Sequence, residues 1–486
     1  MPEPEPERPK LKVAIVGAGI AGLTAGIALK NHPGIDVQIY ERASKLQEIG
    51  ASIALGPNGL RTLDRLGIQN ALDESIAFRN TKTRLPHIYR HYKTNDVVLA
   101  QKHLGQVDDR HLTSRYYRAH LQQALLEHID PAQLHLGKAF KSVVFDNPSR
   151  RLVITFTDDT TATADVLLGS DGIHSPIRQQ FVPSSGTKWT GWVTFRSVFP
   201  ISHVSHIPDL PDEASHFHGP DRTLFQGRLG KGLFTVVGSY QSDPDAPDAP
   251  YHDAKWNSVG DTKVLREYYK DWSPLVRAIV DAVPDTRIYP NAAAHGLDTW
   301  VLLKGRVTLA GDAAHAHGGA FAAGGSLAID DAWAFAASIL HVYPTNATTL
   351  PSEADIERAL RVYERTRKPH TDRVQSTVHE GNKARIGSIG KTVTDEELKA
   401  RIIRFSGDKD WIHEHDVQAA FQDALAKETR SLQRSSLGVI LHLVLSKIWL
   451  SMGLYPLLDQ VMKDPPDLAH YVLRYQQAKW KKDGEK

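Results

Sequence analysis

Three glycines near the N-terminus carry the first chemistry legible in the chain. Gly17, Gly19 and Gly22 stand at the spacing G-x-G-x-x-G, directly after the apolar run from Val13 to Val16 and before the small-residue stretch from Leu23 to Lys30. Gly17 permits a tight turn, and Gly19 lets the backbone approach a pyrophosphate with no Cβ in the way. Gly22, with Gly26 one turn later, allows a helix to pack closely on a sheet. The N-terminus of that helix offers free N–H groups and a positive dipole end to phosphates. Glu41 follows 24 residues after Gly17, where a carboxylate accepts hydrogen bonds from ribose hydroxyls. An acid at that place suits an unphosphorylated ribose, so NAD or the adenosine half of FAD fits better than NADP. The bland reading, glycine-rich packing alone, explains the glycines but not the acid.

Two further motifs lie downstream. In LLGSDGIHSPIR, Leu167 to Arg178, an apolar strand ends at Asp171-Gly172, followed by Ser175 and Arg178. In RVTLAGDAAHAHGGAFAAGGSLAIDDAWAFA, Arg306 to Ala336, a strand ends at Gly311-Asp312 and small residues lead into a helix. Asp312 at a strand end can accept from a polyol or ribose hydroxyl. The small residues permit close approach of backbone to a flat ring, and Gly324-Gly325-Ser326 open a helix whose dipole stabilises negative charge on that ring.

The elements that must position these residues follow from the pattern around them. A strand at Val13 to Val16, a turn at Gly17 to Gly22, a helix at Leu23 to Lys30 and a strand at Asp36 to Tyr40 form a βαβ unit. Helical spacing runs from Tyr116 to Glu127, strand signals with a turn at Asp158-Asp159 fill 138–168, and alternating β pattern fills 189–240. After Val374 the chain reads as mostly helical. Across 486 residues the composition is that of an ordinary soluble globular protein, 41% hydrophobic and 23% charged. A net charge of +2 gives no basic field for nucleic acid. The absence of cysteine excludes disulfides, a thiol nucleophile, zinc fingers, Cys-ligated iron–sulfur clusters and a cysteine-linked cofactor. The acidic Pro/Glu stretch MPEPEPERPK is expected to be a disordered tail and not a signal peptide. The run from Leu437 to Leu458 is long enough to span a bilayer. Lys447 at its centre costs about 2.5–3.5 kcal/mol there, and His442 and Pro456 also count against a span, so a buried or interface helix is expected.

The three motifs, in this order, resemble the class A flavoprotein monooxygenases, FAD-dependent aromatic hydroxylases of the salicylate and p-hydroxybenzoate hydroxylase type. The resemblance covers Lys12 to Lys368. It implies an α/β fold: a Rossmann-like FAD-binding domain with an inserted β-sheet substrate domain and a helical C-terminal region. The expected division is a tail at 1–10, a discontinuous FAD-binding domain at 11–80, 101–180 and 286–375, a β-rich substrate domain at 81–100 and 181–285, and the helical region at 376–486. It further implies that Gly17, Gly19, Gly22 and Glu41 hold the ADP half of a non-covalent FAD. Ala54 falls in the stretch Glu48 to Ile68 that touches the flavin, and Arg118, with Leu121 and Leu125, matches the family's FAD-contacting arginine helix. Asp171 matches a motif implicated in FAD and NAD(P)H binding. Asp312 matches the residue at the flavin ribose and ribityl chain, with Gly325 near the isoalloxazine. The implied reaction consumes NAD(P)H and O₂ and hydroxylates a phenolic aromatic through a flavin C4a-hydroperoxide. Many members carry a proline over the flavin soon after the Gly-Asp motif; here the stretch is HAHGGAFAAGG. That variant looks like the fungal hydroxylases that dearomatise phenolic polyketides in secondary metabolism, and like some salicylate-hydroxylase-like relatives.

Such a reaction needs a dry pocket and a positive or hydrogen-bonding partner for a phenolate oxygen. Arg196, on a strand of the expected substrate domain, stays charged and can hold a phenolate or carboxylate. Tyr240 is the only tyrosine between Arg196 and Tyr251. An Arg–Tyr pair is associated with the substrate oxygen in the dearomatising relatives, so the resemblance implies that Arg196 and Tyr240 are the catalytic pair. A surface ion pair and a packed aromatic are the structural alternatives. His315 and His317 are expected as capping or buried, satisfied histidines, and His413-Glu414-His415-Asp416 lacks metal-site spacing, so no metal is expected. Expected partners are a small aromatic substrate and O₂, no nucleic acid, and a cytoplasmic location. Three roles stay open for the C-terminal region: capping the active site, a homodimer interface, or membrane contact. A salicylate-type decarboxylating or ortho-hydroxylase, and a non-catalytic binding protein on a flavoprotein fold, remain the alternative functions.

Overall fold

The strand Leu11–Val16 is buried along nearly its whole length, as a central strand covered on both faces must be, here by helices on one side and by the antiparallel strands Phe140–Asp146, Arg151–Phe156 and Thr161–Ala164 on the other. In the computed structural model, which describes residues 9–46, 51–387 and 389–430, it is the middle of a five-stranded sheet. The order across that sheet is Val307–Leu309, Val166–Gly169, Leu11–Val16, Ile35–Glu41, Leu134–Leu136, and every pairing is parallel. Helix Ile20–Leu29, buried all round, and helix Gly324–Val342 pack against one another. Ala21, Gly22, Ala25, Ala328 and Ala332 keep both helices slim enough to do so. The expected βαβ unit is present, as is the α/β class with its second, larger sheet.

That second sheet has eight strands, in the order Ser258–Gly260, Thr286–Ala294, Thr187–Pro200, Leu233–Gln241, Arg222–Arg228, Ser215–His218, Ile88–His91, Val97–Ala100. All its pairings are antiparallel except Ser215–His218 with Ile88–His91. Period-two alternation divides the side chains cleanly. Val193, Phe195, Phe217, Leu224, Phe234 and Val236 fill a core beneath helices Thr262–Tyr269 and Pro274–Asp281. Their neighbours along the same strands point to the opposite face, which is the wall of the cavity described below.

Two elements differ from their sequence pattern. The helix expected from Tyr116 begins at Arg118, because Tyr116 and Tyr117 pair with Ile53 and Ser52 in a short two-stranded sheet. Aromatic residues favour that ladder over a first helical turn. The helix Glu353–Ile386 is a single 34-residue rod opened by a Ser352–Asp355 capping box, and it runs unbroken through 375–376, where a domain boundary was expected. Residues up to Gln422 form one compact unit, and residues 423–430 are helical. Most of the N-terminal Pro/Glu tail and the whole apolar run from Leu437 to Leu458 lie outside the described residues. Among the described residues no helix is long and apolar enough to cross a membrane.

Candidate active site

Four adjacent strands of the parallel sheet end side by side, and each delivers one of the motifs at its carboxyl end, where open α/β sheets bind ligands. Val307–Leu309 leads to Gly311-Asp312, Val166–Gly169 to Asp171, Leu11–Val16 to the glycine loop, and Ile35–Glu41 ends on Glu41 itself. The loop is tight for a steric reason. A Cβ on Gly17 would lie 2.3 Å from the Ser170 carbonyl oxygen, and one on Gly22 would lie 1.9 Å from the Gly17 oxygen. At Gly19 a Cβ would meet nothing within 4 Å, so this residue alone of the three opens on the cavity. The Ala18 peptide is fixed from both sides. Its N–H donates to Glu41 Oε2 at 2.8 Å and its carbonyl accepts from Gln122 Nε2 at 3.0 Å. Gln122 sits on the Arg118–Leu126 helix and gave no signal in the sequence, since a lone glutamine has no motif.

Asp171 lines the cavity, and its Oδ2 accepts from the Ile177 N–H at 3.2 Å. Burial pushes its carboxyl up to about 6, against the hydrogen bonds from Ser175 and Ile177. A raised carboxyl favours the folded state only while protonated. In flavin-free protein, stability should therefore fall as pH rises from the ordinary 3.8 through about 6, by on the order of 3 kcal/mol. Asp171→Asn is expected to flatten that segment of a stability-against-pH curve, and an unchanged slope would count against it. Arg178, from the same motif, is buried and donates from Nη1 to the Ala314 and Ala313 carbonyls at 3.0 and 3.3 Å, and from Nη2 to that of His295. It fastens the Asp-Gly segment to the chain beyond the Gly-Asp turn.

The turn has a second anchor that the motif alone did not announce. Asp331, fully buried on helix Gly324–Val342, accepts from Gly311 N at 2.8 Å, His315 Nε2 at 2.6 Å and Arg367 Nε at 2.8 Å. Its neighbour Asp330 accepts from Thr62 Oγ1 at 2.7 Å and Asn58 Nδ2 at 2.9 Å. An acidic pair inside the apolar run SLAIDDAWAFA was the available signal. His315 is thus a buried, satisfied histidine. His317 instead lines the cavity, held down to about 4 by burial, with Asp312 opposing the shift, and its Nε2 has no protein partner among the described residues.

A single cavity of about 1240 Å3 runs from these turns to the eight-stranded sheet. Gly19, Ala54, Arg118, Asp171, Asp312, Gly325 and Arg196 all line it; Gly17, Gly22 and Glu41 lie behind its wall. Arg118 and Asp312 are close enough for the carboxylate to support the arginine's charge against burial. Arg196 donates from Nε to Thr194 Oγ1 at 3.1 Å, and its guanidinium lies 5.3 Å from the ring centre of Tyr289. Its Nη2 comes within 4.0 Å of where a Cβ on Gly319 would be, so it faces the loop after the Gly-Asp turn. The expected partner Tyr240 is elsewhere. It stacks on Tyr268 at 5.1 Å and shares the parity of Phe234 and Val236, whereas Thr235, Val237 and Ser239 face the cavity. The pairing of Arg196 with Tyr240 is therefore corrected to Arg196 with Tyr289, whose hydroxyl donates to Asn257 Oδ1 at 2.8 Å. Sequence distance hid Tyr289, which arrives on the adjacent strand opposite Thr194.

The cavity is roofed by chain beyond the Gly-Asp region. Asn382 and Arg385 from the end of the long helix, and Phe405 and Ser406 from helix Asp395–Ser406, line it. Asn382 accepts from Trp192 Nε1 at 3.0 Å. The next segment is tied down by Arg61 to Glu414 at 3.3 Å, by a His370–His415 stack at 3.9 Å and by Arg373 over Trp411 at 3.8 Å. His413-Glu414-His415-Asp416 thus serves as structural fastening.

A loop that tolerates no Cβ at Gly17 or Gly22, a helix N-terminus with no side-chain cap at Gly19, and carboxylates at neighbouring strand ends together fit a dinucleotide carrying a flat ring. The comparisons with known proteins agree. The FAD binding domain family matches residues 10–216 and 291–377, more than half of the chain. The chain is 29% identical over 376 residues to 6-hydroxynicotinate 3-monooxygenase of Pseudomonas fluorescens, covering 76% of this chain and 90% of that one. It is 27% identical over 443 residues to salicylate hydroxylase of Pseudomonas putida, covering 86% and 95%. A solved salicylate hydroxylase substrate complex shares the fold with a TM-score of 0.71 at 22% identity, over 85% of this chain and 98% of that one. With motifs, fold and family in agreement, the chain belongs to the FAD-binding-domain family and is an FAD-dependent aromatic monooxygenase.

Proposed function

We propose that this enzyme hydroxylates a phenolic substrate whose oxygen is held by Arg196, itself positioned by Tyr289, with NAD(P)H as electron donor and O₂ as oxidant. When bound, FAD supplies the reduction of O₂ and the transfer of one oxygen atom to the ring. The observation that carries this reading is the placement of Arg196 in the same cavity as the flavin motifs, against the loop after Asp312. Gly17, Gly19, Gly22 and Glu41 would hold the ADP half, Arg118, Asp171 and Asp312 the ribityl side, and Ala54 and Gly325 the ring. Arg196, half-buried in the cavity wall and close to Arg118, presents positive charge that favours the phenolate, the electron-rich form the reaction needs. The Tyr289 ring and the Thr194 hydroxyl fix its orientation. Asn382, Arg385, Phe405 and Ser406, which roof the cavity, limit the entry of water to it. Similarity to enzymes named for salicylate and 6-hydroxynicotinate supports a hydroxylated aromatic. The proline-free stretch HAHGGAFAAGG after the Gly-Asp motif supports the polyketide-type, dearomatising variant, and a cytoplasmic setting accords with the NAD(P)H supply.

The test is kinetic. Arg196→Met should keep its flavin but lose about 100-fold in kcat/KM with resorcinol-type aldehydes or salicylates, the effect of about 2–4 kcal/mol for truncating a charged hydrogen-bonding partner. Tyr240→Phe, on the far face of the sheet, should turn over within about twofold of the parent. Equal activity in both variants overturns the anchor. NADPH oxidation that no phenol stimulates overturns the hydroxylase, and a product that keeps its aromatic ring by mass and ultraviolet spectrum overturns dearomatisation.

A further inference from the structure

We infer that the substrate is longer than a single ring and carries a second, hydrogen-bond-accepting oxygen about 14 Å from the one held at Arg196, received by a subsite of His87, Tyr89, His216 and His218. This rests on the phenol reading and deepens it by setting the length and the far-end chemistry of the substrate.

The distance comes from strand register. Arg196 pairs with Val237, Val237 with Phe225, Phe225 with His216, and His216 with Tyr89. These residues form one row across five strands, all on the cavity face. Neighbouring strands lie about 4.8 Å apart, so three steps separate Arg196 from His216 by about 14 Å. A single ring held at Arg196 cannot reach the imidazole. The middle of the row, Val237 and Phe225, is apolar, while both ends are polar. That is the complement of a molecule with oxygen at its two ends and carbon between them.

The far end is built for hydrogen bonding that the protein leaves incomplete. His87 Nε2 lies 2.8 Å from the Tyr89 hydroxyl. His216 sits between Tyr89, at 5.8 Å ring to ring, and His218, at 4.5 Å. The side chains of His216 and His218 make ring contacts but no hydrogen bond among the described residues, and His218 Nε2 is buried without a partner. An orphaned buried polar atom costs about 1–3 kcal/mol, a cost that a ligand hydrogen bond at this end of the cavity would remove. Burial, with Arg385 nearby, holds His216 down to about 3, and burial holds His87 equally low. The imidazoles are therefore neutral, each with one N–H to give. Arg385, on the roof, adds a charged donor. Ser406, within hydrogen-bonding reach of Tyr89, closes the end, and Leu398 and Ile402 pack beside Tyr89. Each neutral imidazole gives one donor and one acceptor, and the Arg385 guanidinium tips the balance towards donors, so the group received is an acceptor: a ketone or a carboxylate.

Titrating the FAD-loaded enzyme with a resorcinol aldehyde series, and monitoring the flavin absorption, tests this. The probes are the bare ring, the ring with a saturated chain, and the same chain ending about 14 Å from the phenolic oxygen in a methyl ketone or a carboxylate. The ketone or carboxylate probe should bind about 10-fold tighter than the saturated chain, the worth of one buried hydrogen bond. In His216→Phe and Tyr89→Phe that ratio should collapse towards one. His218→Phe should behave alike, and its two companions decide the matter if it does not fold. Preference for the carboxylate assigns Arg385 the leading role, preference for the ketone the imidazoles, and either supports the subsite. Equal affinity for oxygenated and saturated chains overturns the subsite while Arg196 stands. Failure of every probe to bind overturns the subsite together with the phenol reading.

Discussion

Asp331→Ala is expected to destabilise the protein by about 3–5 kcal/mol and to leave it without flavin at micromolar FAD. The carboxylate pairs with Arg367 at 2.8 Å, and both groups are completely buried. Removing it strands a buried guanidinium, which costs more than the pair itself contributes. It also frees the Gly311 N–H and His315, so the turn carrying Asp312 loses two of its fastenings. The pH dependence has a definite sign. Burial works to raise the Asp331 carboxyl, but its contacts and hydrogen bonds with His315 and Arg367 outweigh it and hold it down to about 2. Its contribution is present above the ordinary 3.8 and is lost as pH falls towards 2, on the order of 2 kcal/mol in all. Thermal melts of parent and Asp331→Asn between pH 6 and roughly 3 should therefore converge on acidification. The double replacement Asp331→Leu with Arg367→Met should recover stability but not flavin occupancy. Parallel melting curves, or a yellow Asp331→Ala protein, would show that the network does not hold the turn.

Gly22→Ala and Gly19→Ala should separate two roles that one motif combines. At Gly22 the new methyl would stand 1.9 Å from a backbone oxygen of Gly17 and 2.7 Å from Ser170 Oγ. Backbone cannot give way as a flexible side chain can, so both stability and flavin are lost, by several kcal/mol and at least about 100-fold in FAD affinity. At Gly19 the methyl meets no protein atom within 4 Å. That variant should melt within about 1 kcal/mol of the parent as apoprotein and still bind FAD about 100-fold more weakly, because the methyl stands where the pyrophosphate must approach. Equilibrium dialysis against FAD, paired with melts of the stripped proteins, reads both. A Gly19→Ala protein that holds flavin normally would place the phosphates elsewhere.

The flavin side is legible in the sequence because its demands are local. A strand, a loop that excludes Cβ atoms and a strand-end acid lie within thirty-odd residues, and the Asp-Gly and Gly-Asp turns announce themselves as carboxylates after apolar runs. The features that pattern does not reveal depend on residues brought together from afar. Gln122 holds Ala18, Arg367 holds Asp331, and Tyr289 reaches Arg196 from an adjacent strand. Tyr240 is misplaced by sequence reasoning because its facing depends on parity within Leu233–Gln241, and that parity is fixed by which face the helices Thr262–Tyr269 and Pro274–Asp281 cover. Alternation in sequence reveals that two faces exist, not which one meets a partner. The roof is only one of three roles the sequence leaves open for the C-terminal region, since helical spacing says nothing about what a helix covers.

The long helix Glu353–Ile386 has a consequence for how this enzyme can diversify. Its Arg367 braces the cofactor turn, while its last turns, with Asn382 and Arg385, roof the cavity. The match to the FAD binding domain family stops at residue 377, between these two places, and it also skips 217–290, where Phe225, Val237 and Tyr289 lie. Part of the cavity wall, Phe225, Val237 and Tyr289 on the sheet and Asn382 and Arg385 on the roof, thus lies outside the family match, while Arg196, His87, Tyr89 and His216 lie inside it with the flavin motifs. Exchanging 217–290 and the segment after 377 with those of a relative should therefore reshape the wall around Phe225, Val237, Tyr289, Asn382 and Arg385 while leaving Arg196, His216 and the glycine, Asp-Gly and Gly-Asp motifs in place. The rod that crosses residue 377 is the splice point at which such a graft must keep its helical phase.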